Sequence, residues 1–110
     1  MVEYSLDLDL VFSSLSDSTR RDILQRVSRE ELSVSEIAHK YKNLTLAAIS
    51  KHLKVLEKAQ LIVKRRQGKQ QYIQLAPAAL KGAESYLQQY AAILSNRLDS
   101  LEAYIIKEDI

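Results

Sequence analysis

Lys51, Lys54 and Lys58 recur at intervals of three and four residues, and Arg65, Arg66 and Lys69 follow around a single glycine, Gly68. The first spacing brings the lysines onto one face of an α-helix. Cations gathered in this way repel one another and suit a polyanion as partner. From Leu46 to Lys69 there are seven cations, Lys64 included, against one carboxylate, Glu57, whereas the whole chain of 110 residues carries only +2. The excess is therefore local, and a local contact is expected rather than adhesion over the whole surface. A solvated, lysine-rich helix face is the bland reading of the same charges.

Other chemistries find little support. The absence of cysteine excludes disulfides, thiolate metal sites and cysteine nucleophiles. His39 and His52, the only histidines, sit on different segments, and neither has a second histidine at ligand spacing. Packed or hydrogen-bonded imidazoles are the expectation for both, rather than metal ligands. There is no glycine-rich phosphate loop and no histidine-carboxylate constellation at a recognisable spacing, so neither an enzyme nor a cofactor is expected. No apolar run reaches the length of a membrane span, and MVEYSLDLDL is acidic where a signal peptide would be basic; a cytoplasmic protein without a membrane partner is expected.

The elements that must hold these cations follow from pattern. Two glycines and one proline in the chain favour helix with few tight turns. A first helix is predicted from about Tyr4 to Leu15, with Leu8, Val11, Phe12 and Leu15 at helical spacing. Ser16 and Asp17 then offer a stop and a new N-cap for a second helix, from about Ser18 to Ser28, with Ile23, Leu24 and Val27 on its apolar face. Ser33 followed by Glu36 matches the capping box and starts a third helix that faces Ile37 and Val34 inward and breaks at Asn43. Thr45 caps a fourth helix, Leu46 to about Ala59. At about 100° per residue its Ile49, Leu53 and Leu56 share one face, opposite Ala47, Lys51, Lys54 and Lys58.

After Leu61 the sequence IVKRRQGKQQYIQL reads as a two-stranded hairpin with Gly68 at its tip. Pro77 suits the first turn of a last helix. There Leu87, Ala91, Leu94, Leu98, Leu101 and Ile105 are spaced 4, 3, 4, 3, 4, and Tyr86, Tyr90 and Ile93 form a second stripe beside them. An apolar surface this wide needs two partners, and a domain of this size supplies one. The second is expected to be another copy of the chain, through Leu87, Tyr90, Leu94, Leu98, Leu101 and Ile105. The alternative packs both stripes within one subunit.

Helix, turn, basic helix and basic hairpin, in that order, make a winged helix-turn-helix: mainly α with a small β-hairpin wing. LSDSTRRDIL (15–24), ELSVSEIA (31–38), AISKHLKVLEKAQLI (48–62) and RRQGKQQYIQL (65–75) resemble the ArsR/SmtB family of bacterial repressors, from about Leu6 to the end of the chain. The length of 110 residues leaves room for a single domain over 1–110, and the resemblance implies a homodimer held by terminal helices at about 4–15 and 77–107. It also implies a repressor bound to double-stranded DNA at an inverted-repeat operator, with each fourth helix in a major groove and each wing on backbone or minor groove. Ser50, Lys51, His52 and Leu53 match the core of the family's recognition helix. Thr45, Ala47 and Ala48 take the positions before it that reach bases or phosphates, and Lys54 shares the basic face. Lys51 can donate to guanine, Ser50 to a base edge or phosphate, and an alanine methyl can meet a thymine methyl. Arg65, Arg66 and Lys69 are expected to supply phosphate affinity or enter the minor groove.

Three positions depart from the family pattern. Gln60 replaces a helix-ending glycine, at a cost of about 1 kcal/mol if it turns left-handed, and leaves open a turn of different shape before the wing. Ala76 cannot cap the last helix as aspartate would. Ser33 and Ser35 stand where the metal-sensing branch carries cysteines, and a hydroxyl that keeps its proton binds soft ions poorly. The family's second metal site, on the last helix, uses histidine, which is absent from Leu80 to Ile110. No metal site is therefore expected, and the chain looks closer to a thiol-free branch. A small organic effector is left open, with Tyr86 and Tyr90 able to line a pocket near the dimer interface, although aromatic residues at helical spacing are more often core. A winged-helix module that binds protein instead of DNA is the competing function.

Overall fold

The computed structural model describes residues 7–108. Eight elements follow one another: α1 (Leu8–Leu15), α2 (Ser18–Arg29), β1 (Leu32–Ser33), α3 (Val34–Lys40), α4 (Leu46–Lys58), β2 (Ile62–Gln67), β3 (Gln70–Leu75) and α5 (Pro77–Glu108). Asp7 caps α1 by accepting from the Leu10 N–H at 3.2 Å, so the helix starts at Leu8; the expected earlier turn from Tyr4 lies outside the described residues. Asp17 caps α2, accepting from the Arg20 N–H at 3.0 Å, and that N–H holds its carboxyl below the usual carboxylate range.

The chain falls into two units, one running to Leu80 and one from Lys81 onward. In the first, Val11, Ile23, Val27, Ile37, Ile49, Leu53, Leu56, Leu61, Ile62 and Ile73 are buried and form the core beneath the helix-turn-helix. Helical periodicity assigned the residues of α1 to α4 in this core inward; Leu61, Ile62 and Ile73 are added by the structure. In the second, α5 continues as an unbroken helix whose Leu87, Tyr90, Ile93, Leu94, Leu98, Leu101 and Ile105 are each half or more exposed in the single chain.

The sheet has three strands, ordered β1-β3-β2 and antiparallel throughout, where pattern had shown only the hairpin. The missing strand is two residues long, Leu32 opposite Ile73 and Ser33 opposite Tyr72, too short for alternation to reveal. Ser33 does double duty. Its backbone closes the sheet, and its hydroxyl accepts from the Glu36 N–H at 3.1 Å while Glu36 accepts from the Ser33 N–H at 2.9 Å. The capping box is complete, and Ser33 is buried.

Candidate nucleic-acid interface

Helix α4 is placed by its two ends. At the start Thr45 Oγ1 accepts from the Ala48 N–H at 3.0 Å, which satisfies one orphan donor of the first turn and leaves the threonine O–H as a donor. At the finish Gln60 adopts φ 62°, the left-handed conformation usually given to glycine. The Leu61 N–H then reaches the Leu56 carbonyl at 3.0 Å and the Gln60 N–H the Glu57 carbonyl at 2.9 Å. These two bonds are those of a Schellman motif, with Leu61 and Leu56 both fully buried at its apolar contact. The turn before the wing thus keeps the glycine-type shape despite Gln60, because the paired carbonyls and buried leucines outweigh the strain.

Held at both ends, α4 buries Ile49, Leu53 and Leu56 and exposes Ala47, Lys51, Lys54 and Lys58 on the far side; Ala48 and Ser50 are half-buried along the flanks. Among the described residues no carboxylate pairs with Lys51, Lys54 or Lys58. Of the expected DNA-facing residues of the helix, Ala47, Lys51 and Lys54 therefore share one exposed face, while Ala48 and Ser50 flank it.

The wing divides its cations. β2 and β3 pair from Ile62 opposite Leu75 to Gln67 opposite Gln70, and Gly68, at φ 63°, takes the first central position of the two-residue turn. Arg66 and Lys69 are exposed at the tip; Arg66 Nε donates only to the Gly68 carbonyl, at 3.3 Å. Arg65 points the other way along the pleat and is engaged by the protein itself. It donates to both oxygens of Glu31 and, through Nη1, to Gln67 Oε1 at 2.8 Å, and its guanidinium lies 5.1 Å from the centre of the Tyr72 ring. The Glu31 carboxylate raises the Arg65 pKa. Lys64 pairs with Glu57 of α4 at 3.2 Å, which ties the wing to the helix. Of the three wing cations named from sequence, Arg66 and Lys69 have no carboxylate partner among the described residues, and Arg65, itself exposed, is paired with Glu31.

Two arginines of α2, Arg20 and Arg21, lie next to the site. Helix α1 has no basic residue in its last turn, and α2 supplies the charge instead. Arg20 Nε donates to the Ser14 carbonyl at 2.7 Å and Nη2 to Ser13 at 3.3 Å, while Arg21 Nη1 donates to Leu15 at 2.7 Å. Arg20 also reaches α4, with Nη1 3.3 Å from His52 Nδ1, and Asp17 lies 3.8 Å from the same nitrogen. The available signal was a pair of arginines directly after a short helix with no cationic end of its own. His52 and His39 are both hydrogen-bonded, the latter through Nδ1 to the Ser35 carbonyl at 2.9 Å. Among the described residues no group of three or more His, Asp or Glu side chains could hold a metal ion, and no helix is long and apolar enough to cross a membrane. On α5 the Tyr86 and Tyr90 rings meet at a tilt of 57° with centroids 5.2 Å apart and hydroxyls 3.4 Å apart.

Comparison with known proteins agrees with this geometry. Residues 15–65 match a family described as a helix-turn-helix domain. The chain is 34% identical over 82 residues to the HTH-type transcriptional regulator Rv2034 of Mycobacterium tuberculosis, spanning 74% of this chain and 76% of that protein. It is 31% identical over 77 residues to the transcriptional repressor SdpR of Bacillus subtilis, spanning 70% and 84%. An ArsR-like transcriptional regulator from Rhodococcus superposes with a TM-score of 0.74 at 29% identity, covering 94% of this chain and 92% of that one. The homodimeric winged helix-turn-helix DNA-binding domain of Mb0332 from Mycobacterium bovis gives 0.62 at 26% identity, covering 77% and 78%. Rv2034, SdpR and the Rhodococcus protein are named as regulators of transcription, and Mb0332 as a possible one.

Proposed function

The chain belongs to the ArsR family of winged helix-turn-helix DNA-binding transcriptional regulators, and on that footing we propose that it acts as a homodimeric repressor on an inverted-repeat operator. The observation that carries this reading is the division of α4: Ile49, Leu53 and Leu56 are buried, and Lys51, Lys54 and Lys58 stand exposed on the opposite face, without carboxylate partners among the described residues. Lys51 and Ser50 read base edges, Thr45, Ala47, Ala48 and Lys54 complete the surface in the major groove, and Arg66 and Lys69 hold phosphates. Arg65 acts at one remove, by bracing the wing against Glu31.

Homodimerisation is supported by the exposure of Leu87 (50%), Leu94 (58%), Leu98 (55%), Leu101 (54%) and Ile105 (53%) along one side of α5, an apolar surface that a second copy would bury. The similarity to SdpR, a repressor, and to a homodimeric domain points the same way. The test is sedimentation alongside a mobility shift with duplexes selected by the protein from a random pool. The expected result is a dimer bound to selected duplexes with two-fold symmetry, converted to monomer or insoluble protein by Leu94→Glu or Leu98→Glu, since a carboxylate buried without a partner costs several kcal/mol, about 3–5. A wild-type monomer at tens of micromolar, or failure to retain any duplex, contradicts the proposal; the second outcome would favour a protein-binding module.

A further inference from the structure

Leu46 is 61% exposed although it opens the recognition helix of a well-packed unit. It has no packing task there. Leu44 and Ile49 already occupy the two positions of a hydrophobic staple around the Thr45 cap, and Leu44 is half-buried and Ile49 fully so. Leu46 lies beside exposed Ala47, so the first turn of α4 presents an aliphatic surface, while the turns that follow present Lys51 and Lys54.

We propose that Leu46 is a specificity-determining residue that reads a thymine C5-methyl group in each half of the operator. This rests on the proposed DNA-binding reading of α4 and deepens it. The N-terminal residues of a recognition helix are among those that contact base edges. In the major groove every base edge offers hydrogen-bonding groups, and only thymine adds an apolar one. An isobutyl group can neither donate nor accept. Set against guanine, cytosine or adenine it would strip water from polar edges without replacing their hydrogen bonds, which is unfavourable. Set against thymine it gains a methyl contact. The leucine therefore selects by attraction to one base and by rejection of the others, with a longer apolar side chain than the alanines at 47 and 48.

Replacing thymine by uracil removes the methyl and nothing else, which makes the test direct. Each thymine of a selected duplex is replaced singly and then in symmetric pairs, and affinity is measured for wild type and Leu46→Ala, whose exposed site leaves the fold intact. Burying one methyl corresponds to about a fourfold change in affinity, so one position in each half-site is expected to weaken wild-type binding about fourfold when substituted and roughly tenfold or more as a pair. Leu46→Ala is expected to bind the thymine and uracil duplexes alike while still shifting both. Equal wild-type affinity for every uracil duplex would overturn the proposal and leave DNA binding by α4 standing. So would a Leu46→Ala protein that keeps the full methyl preference, because Ala47 would then be the reader. Failure of the wild type to bind any duplex overturns the DNA reading itself.

Discussion

Arg65 donates to Glu31 through both Nε, at 3.0 Å, and Nη2, at 2.9 Å, so this wing cation already has a carboxylate partner within the chain. Arg66, its neighbour on the opposite side of the strand, has no such partner among the described residues. Adjacent arginines of the same strand thereby take different work.

The consequence is visible in salt dependence. Arg66→Ala should make the log–log salt slope of DNA binding shallower by about 1–2 per dimer, since each lost phosphate contact releases about one counterion fewer. Arg65→Ala should leave the slope unchanged and reduce affinity only through a looser wing. A slope lowered equally by both substitutions would show that Glu31 surrenders Arg65 to the DNA.

Gln60 at φ 62° offers a test of the turn that places the wing. Gln60→Gly should stabilise the protein by about 0.5–1 kcal/mol, because glycine takes the left-handed conformation without a Cβ clash, less its larger entropy in the unfolded chain. Urea unfolding measures it. A lower midpoint in the variant would mean that the glutamine side chain contributes contacts that outweigh the strain.

Much of this architecture was legible because its signals are local. Ser33 and Glu36, three residues apart, announce α3; Thr45 announces α4; Gly68 marks the hairpin tip. What escaped depends on residues far apart in sequence. Leu32 and Ser33 become a strand only because Ile73 and Tyr72 come to lie beside them. Glu31 pairs with Arg65 across 34 residues, and Arg20 meets His52 across 32. Charge counting places a basic block correctly but does not say which of its cations the fold has already used.

Tyr41 carries a pH dependence of stability. Its hydroxyl donates to Asp22, which also accepts from Arg26 Nε at 3.1 Å, and burial together with the Asp22 bond pushes the phenol up from 10.0 to about 12. A group whose pKa rises on folding stabilises fully below its unfolded value and loses that contribution as pH climbs through the folded one. The urea midpoint should therefore fall between pH 10 and 12 more steeply in wild type than in Tyr41→Phe, and the variant should be less stable at neutral pH by about 1 kcal/mol. Parallel declines in the two proteins would exclude the Tyr41–Asp22 bond as the source.

The central claim is that the exposed face of α4 reads sequence while the wing tip anchors, and the most direct measurement is binding of Lys51→Ala to a selected duplex and to its scrambled counterpart across a salt series. The expected result is a loss of about 1–3 kcal/mol on the selected duplex, with preference relaxed at one base position in each half-site and a much smaller loss on the scrambled one. Equal losses on both duplexes, with sequence preference intact, would contradict the account and make Lys51 one more phosphate contact.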